Sequence, residues 1–282
     1  MTPLSRFTCR SGERLLRVWT LVAAIVAALG ASATAQAGAL DDIRARGVLV
    51  VGTKGDYPPF GFHDGKGNIV GLEPDLAGEV AKALAVPLKL VPVVATTRVG
   101  LLNSGTIDLV MATMNVTPER AKQVTFVEPS YYASGVNVLA PKSAHLRVWQ
   151  QLRGKPVCTV EGSFFITELK DRYGPDIHLY KDTNQVYAAV KSGECVAAYD
   201  DTALIGQLQM PAWQDYEMPL RSILLQPWGI AVKEGNTGLA AFVGGLVRKW
   251  HATGRIEALE KTWQIPPSVF AEEMHRRFAE GE

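Results

Sequence analysis

Along this chain, short apolar runs with β-branched members alternate with stretches whose apolar residues recur every three or four positions, the pattern of strands followed by helices. Residues 47–52 predict a first strand, and residues 53–62 a loop stiffened by Pro58 and Pro59. A turn at residues 64–68 precedes a helix over 74–84, a strand over 88–94 and a short helix over 98–103 that ends at Ser104-Gly105. The apolar run 107–112 predicts a buried strand, and Thr117-Pro118-Glu119 opens a helix with an N-cap, a proline suited to the first position and an acid suited to the dipole. The same order then recurs: strand 155–160, helix 163–173, strand 177–180, helix 184–191 ending at Ser192-Gly193, strand 195–199 and helix 202–208. A return strand over 225–232 leads to two amphipathic helices, 239–253 and 255–263, broken at Gly254, with Trp250 and Trp263 on their apolar faces as core residues.

Two βαβαβα units in series imply an α/β protein with parallel sheets flanked by helices, and a ligand cleft between two lobes at the carboxyl ends of the strands. One lobe is expected from residues 38–135 together with 229–282, the other from 136–228, and the chain crosses twice, near 135–140 and 226–230.

Residues 1–37 stand apart from that pattern. Arg6, Arg10, Arg14 and Arg17 form a basic region, residues 18–29 an apolar one, and Ala33-Thr34-Ala35 or Ala35-Gln36-Ala37 a cleavage site, which together read as a secretory signal. No Cys follows the apolar region, which argues against a lipid-anchored start. Removing the leader's four Arg and one Glu from 29 basic and 28 acidic residues leaves 25 and 27, a net charge of −2, which is no nucleic-acid footprint. Cys9 leaves with the leader. Cys158 and Cys195 remain, and an even pair in an oxidising compartment is compatible with a disulfide and equally with two buried thiols. The five His residues are scattered without ligand spacing, so neither a metal nor a cofactor is expected.

Arg120 is the candidate that chemistry singles out first. A cation in the first turn of a helix opposes the dipole. A bound carboxylate, gripped by a guanidinium fork and free N–H groups, would answer that cost, as would plain solvation on a surface helix.

The segments GVLVVGTKGDYPPFGF, GLEPDLAGEVAKAL, LLNSGTIDLVMATMNVTPERAKQVTFVEPSYY, the turn at Gly162-Ser163 and AAYDDTALIG follow one another in the order seen in a known family. The chain resembles the periplasmic solute-binding proteins that deliver polar amino acids to ABC transporters. That resemblance implies a two-lobed fold with a two-strand hinge, a periplasmic monomer without cofactor, a small amino acid as ligand and a membrane permease as partner. It places the ligand's α-carboxylate on Arg120, Thr113 and Asn115, and its α-ammonium on Asp201. By its residues alone Asp201 reads as the N-cap of helix 202–208. Ser163 and Phe164 would offer backbone N–H groups at a helix start, where bulky Phe164 departs from the small residue usual in the family. Tyr57 and Phe60 would wall the pocket.

Ligand identity is expected from charge. Lys54 stands where many relatives carry an Asp facing a basic ligand, and Arg98 stands where glutamate/aspartate-binding members use an Arg for the side-chain carboxylate. Two cations converging on the side-chain end imply an acidic amino acid. A second implied activity comes from periplasmic cyclohexadienyl dehydratases, which the opening segment and the C-terminal helices also resemble. Those enzymes carry a catalytic Glu three residues after the Asp matching Asp201, and this chain has Leu204 there. No enzymatic activity is expected.

Overall fold

The computed structural model describes residues 38–281, so the expected leader at 1–37 lies outside the described residues. After a helix α1 (Ala39–Arg46), strand β1 (Leu49–Thr53) is followed by β2 (Asp56–Tyr57), β3 (Gly61–His63) and β4 (Ile69–Val70). The loop expected over 53–62 is therefore a small antiparallel sheet, β2-β3-β4, closed by a turn in which the Asp64 carboxylate accepts the N–H groups of Lys66 and Asn68.

Helix α2 (Leu72–Leu84) buries Leu72, Leu76, Ala77, Val80 and Leu84, a stripe at helical spacing. Burying each Leu or Val of that stripe stabilises the fold by about 1.5–3 kcal/mol. Then come β5 (Leu88–Pro92), α3 (Arg98–Asn103), β6 (Leu109–Val110), the single turn α4 (Pro118–Ala121) and β7 (Val124–Phe126). The first sheet has the order β5-β1-β6, parallel, continued antiparallel by β14 (Ala231–Lys233) and β7.

The second sheet is built around the long strand β8 (Tyr132–Pro141). Its parallel part, β10-β9-β11, comprises β9 (Pro156–Val160), β10 (Asp176–Tyr180) and β11 (Val196–Asp200), and β8 runs antiparallel to β11. In both sheets the first parallel strand lies between the second and the third, so the repeat in element order is also a repeat in topology. Helices α5 (Ile166–Tyr173), α6 (Thr183–Lys191) and α7 (Asp201–Leu208) connect these strands, and β12 (Tyr216–Glu217) and β13 (Ile223–Trp228) complete the sheet along β8.

The expected return strand over 225–232 is two strands. β13 pairs with β8 in the second sheet, while β14 pairs with β6 and β7 in the first, and the chain passes between sheets at Gly229-Ile230. Helices α8 (Thr237–Ala252) and α9 (Arg255–Thr262) follow, and a third, α10 (Val269–Ala279), was not expected from the sequence. Trp250 is buried and donates its indole N–H to Glu79, and half-buried Trp263 donates to Asp75. No helix among the described residues is long and apolar enough to cross a membrane.

Candidate functional site

The carboxyl ends of β1, β9 and β11 and the loops after β5 and β6 converge on one cleft between the two sheets. It is lined by Lys54, Tyr57, Arg98, Thr113, Asn115 and Arg120 from the first lobe, and by Ser163, Phe164, Tyr199 and Asp200 among others from the second. Three polar contacts join its walls. Tyr57 Oη donates to Asp200 Oδ2 at 2.7 Å, Arg120 Nη2 donates to the carbonyl of Gly162 at 3.0 Å, and the Thr183 N–H donates to Asp56 Oδ2 at 2.7 Å. Close approach also depends on Gly206 of α7, where a Cβ would sit 2.6 Å from Pro59 Cδ.

Arg120 is positioned by local geometry. Thr117 caps the turn by accepting the Arg120 N–H at 3.3 Å, and Arg120 Nη1 donates to the Asn115 carbonyl at 2.9 Å. The carbonyls of Asn115 and Gly162 thus take two of the five guanidinium N–H groups. Thr113 sits at φ 47°, a left-handed conformation costly for a β-branched residue. Its N–H donates to Glu73 Oε1 at 2.6 Å, so a buried carboxylate 40 residues away holds that backbone in place.

Most of the expected site residues meet here, with two exceptions. Phe60 is fully buried behind the cleft, edge-on to Trp228 at 5.0 Å and to Tyr132 at 5.3 Å, so it packs the wall without forming it. Asp201 faces elsewhere. Its Oδ1 accepts from Ser134 Oγ at 2.8 Å and from the Gly135 N–H at 3.1 Å, and it lines a second cavity of about 260 Å³ beside Leu225 and Ile265. The acid in the cleft is Asp200. Strand β11 runs one residue further than expected, so Asp200 ends the strand and Asp201 starts the helix, where an acid complements the dipole. The expected helix start at Ser163 also moves: α5 begins at Ile166, and both the hydroxyl and the N–H of Ser163 are taken by the Val160 carbonyl.

Electrostatics in the cleft differ from the expected pair of unanswered cations. Lys54 Nζ lies 2.9 Å from Asp56 Oδ1, and both side chains are largely buried. Burial pushes the Asp56 carboxyl up, but Lys54 and the Thr183 N–H outweigh it and hold it below the usual carboxylate range. Arg98 is 4% exposed. Burial, with Arg120 nearby, pulls its guanidinium down to about 9, still a cation at neutral pH, while Glu73 and Asp200 oppose that shift. Glu73 is 0% exposed, and burial pushes its carboxyl up against the bonds from Tyr131 and Thr113 and the charge of Arg98. Asp200 is pushed up to about 6 by burial, with Asp201 adding to the rise and Tyr57, Arg120 and Arg98 restraining it. Lys54 is thus ion-paired with Asp56, while Arg98 and Arg120 have no ion pair of that kind among the described residues and feel the nearby charges of Glu73 and Asp200.

Buried polar atoms without a partner on the residues around this cleft include the donors Arg98 Nε and Asn115 Nδ2 and the acceptors Asp200 Oδ1 and Glu73 Oε2. Elsewhere in the second lobe, Cys158 and Cys195, neither of which lines the cleft, are joined by a disulfide between Cα atoms 5.8 Å apart.

The sequence profile of the bacterial extracellular solute-binding proteins, family 3, matches residues 49–266. The chain is 28% identical over 246 residues to the L-cystine-binding protein of Escherichia coli, covering 86% of this chain and 92% of that one. It is 29% identical over 222 residues to the ABC transporter glutamine-binding protein of Bacillus subtilis, covering 76% and 80% of the two chains. Among solved structures, the cysteine-binding protein of Campylobacter jejuni superposes with a TM-score of 0.77 at 26% identity, covering 83% of this chain and 97% of that one.

Proposed function

Because the chain belongs to the family of bacterial extracellular solute-binding proteins, family 3, we propose that it binds an amino acid in the periplasm and delivers it to a membrane ABC importer. The observation that carries this reading is the set of unpartnered polar atoms in the cleft: donors on Arg98 and Asn115, and an acceptor on Asp200. Buried polar atoms without partners are costly, and an α-amino acid offers their complement, a carboxylate that accepts and an ammonium that donates. In this reading Arg120, with Thr113 and Asn115, holds the α-carboxylate. Asp200 takes the α-ammonium in the role the resemblance gave to Asp201, and Tyr57 and Phe164 enclose the ligand.

The side chain of the ligand is polar and without net charge. Lys54 has Asp56, Arg98 has Glu73, and Arg120 and Asp200 balance one another, so a zwitterion such as glutamine leaves the cleft neutral. The cystine- and glutamine-binding relatives take ligands of that kind. A second reading, an acidic amino acid, is favoured by the lining itself, where the cations Lys54, Arg98 and Arg120 outnumber the one carboxylate, Asp200. A dehydratase activity finds no support at the position where those enzymes place an acid, since Leu204 is buried, as is Ala203, the residue reached by counting from Asp200.

Thermal-shift measurements on ligand-stripped mature protein against the common amino acids test the reading. A ligand at a hundred times its dissociation constant stabilises by about 2.7 kcal/mol. If no α-amino acid raises the unfolding temperature, the function is wrong. If glutamate or aspartate does so more strongly than glutamine, only the ligand class is.

A further inference from the structure

Four residues scattered along the sequence meet on the second sheet because of its strand register. His178 on β10 lies opposite Cys158 on β9, and Glu194-Cys195 lead into β11, the strand on the other side of β9. Cys158 Sγ, a His178 ring nitrogen and a Glu194 carboxylate oxygen all lie within 4.8 Å of one another. Cys195 Sγ is bonded to Cys158 at the same spot.

Neighbouring groups already orient the outer two. Asp176 Oδ2 lies 3.1 Å from His178 Nε2, while His178 Nδ1 faces Glu194 Oε1 at 3.4 Å. Tyr180 Oη donates to the same Glu194 oxygen at 2.6 Å. A carboxylate on the far nitrogen of an imidazole fixes its tautomer and raises its basicity as a metal ligand.

We propose that the reduced protein binds one zinc ion at this place, through the thiolates of Cys158 and Cys195, Nδ1 of His178 and the carboxylate of Glu194. This is a tetrahedral donor set of two sulfurs, one nitrogen and one oxygen, of the kind zinc prefers. Thiolates on a tetrahedral zinc ion are about 3.8 Å apart, given Zn–S bonds of about 2.3 Å. Rotation of two side chains whose Cα atoms are 5.8 Å apart reaches that separation. In the oxidised protein the sulfurs carry no thiolate charge, and His178 and Glu194 alone are too few to hold the ion tightly.

The chemistry balances with a dithiol reductant. Its two thiols give two electrons and two protons to the Cys158–Cys195 bond, which breaks into two thiols while the reductant closes to its own disulfide. Zinc then displaces both thiol protons. Ion and disulfide therefore compete for the same sulfurs, and zinc protects the reduced pair from oxidation. The ligands come from β9, β10 and the segment that leads into β11, which is why spacing along the chain gave no sign of them.

The test uses the full exported chain, untreated or reduced with a phosphine under anaerobic conditions, and zinc ion titrated against a chromophoric chelator. The reduced protein should take up one zinc at least 100-fold more tightly than the oxidised one. His178→Ala and Glu194→Gln, both at partly or fully exposed positions, should each weaken that uptake ten-fold or more, and zinc should slow reoxidation in the parent but not in His178→Ala. Equal zinc affinity in the two redox states would overturn the proposal. So would unchanged affinity in both variants, which would indicate a bare dithiol, or a reduced chain that stays unfolded by circular dichroism with zinc present.

Discussion

Tyr57 donates its phenol to Asp200 at 2.7 Å across the cleft, joining a residue of the first lobe to one at the carboxyl end of β11. The bond fixes Asp200 Oδ2 and leaves Oδ1 as a buried acceptor without a partner. Asp201, its neighbour in sequence, bonds to Ser134 and Gly135 on β8 instead. Two adjacent acids thus have separate places, one lining the cleft and one tying α7 to β8.

That division predicts opposite signatures for two similar substitutions. Asp200→Asn should weaken amino-acid binding by about 2–5 kcal/mol, since a ligand ammonium would lose its charged partner. Asp201→Asn should leave affinity within a few-fold and lower stability by about 1 kcal/mol through weaker bonds to Ser134 and Gly135. Calorimetry and urea unfolding on the two variants separate these effects. Loss of binding confined to Asp201→Asn would reverse the assignment.

Binding should depend on pH through Asp200, whose carboxyl is pushed up to about 6. The ligand ammonium requires the ionised form, so affinity should fall as pH drops from 7 towards 5, and that dependence should vanish in Asp200→Asn. Stability carries the reverse sign. A carboxyl raised in the folded state binds its proton more tightly there, so its contribution to folding is fully present below the unfolded value near 3.8 and is lost as pH rises through about 6.

Arg120→Ala should cost about 3 kcal/mol or more in binding, because the ligand carboxylate would be left without its cation in a desolvated site. Arg120→Lys should recover only part, since an ammonium cannot donate in parallel to both oxygens. Near-native affinity by calorimetry in Arg120→Ala would remove the residue from the site.

Replacing both Cys158 and Cys195 by Ala should lower unfolding free energy by roughly 4 kcal/mol, the loop-closure value for a link spanning 37 residues. Neither cysteine lines the cleft, so ligand affinity should change little. Denaturant unfolding with and without ligand distinguishes the two effects.

Much of this architecture was legible in the sequence because punctuation residues mark it. Helix α3 ends at Ser104-Gly105 and α6 at Ser192-Gly193, and both fall within a residue of where periodicity places them. What escaped depends on contacts remote in sequence. The return strand reads as one run because only Gly229-Ile230 separate β13 from β14, and only the sheets they join tell them apart. Helix α10 is the exception: after Pro266-Pro267 its Phe270, Met274 and Phe278 recur at helical spacing, so a signal for it stands in the sequence. Glu73 gave no sign of its role under Arg98 and Thr113, and that omission made the two cations look unanswered. Asp56 was closer at hand, two residues from Lys54, but a bend in the chain was needed to bring their charges to 2.9 Å.

On the proposed function the cleft recognises both ends of an α-amino acid, through Arg120 and Asp200. Calorimetry of ligand-stripped protein with glutamine, with its analogue lacking the α-amino group, and with its α-carboxamide tests this most directly. Glutamine should bind, and each analogue should bind 100-fold or more weakly than it. Equal affinity for the analogue without the ammonium would contradict it, whatever the side chain preferred.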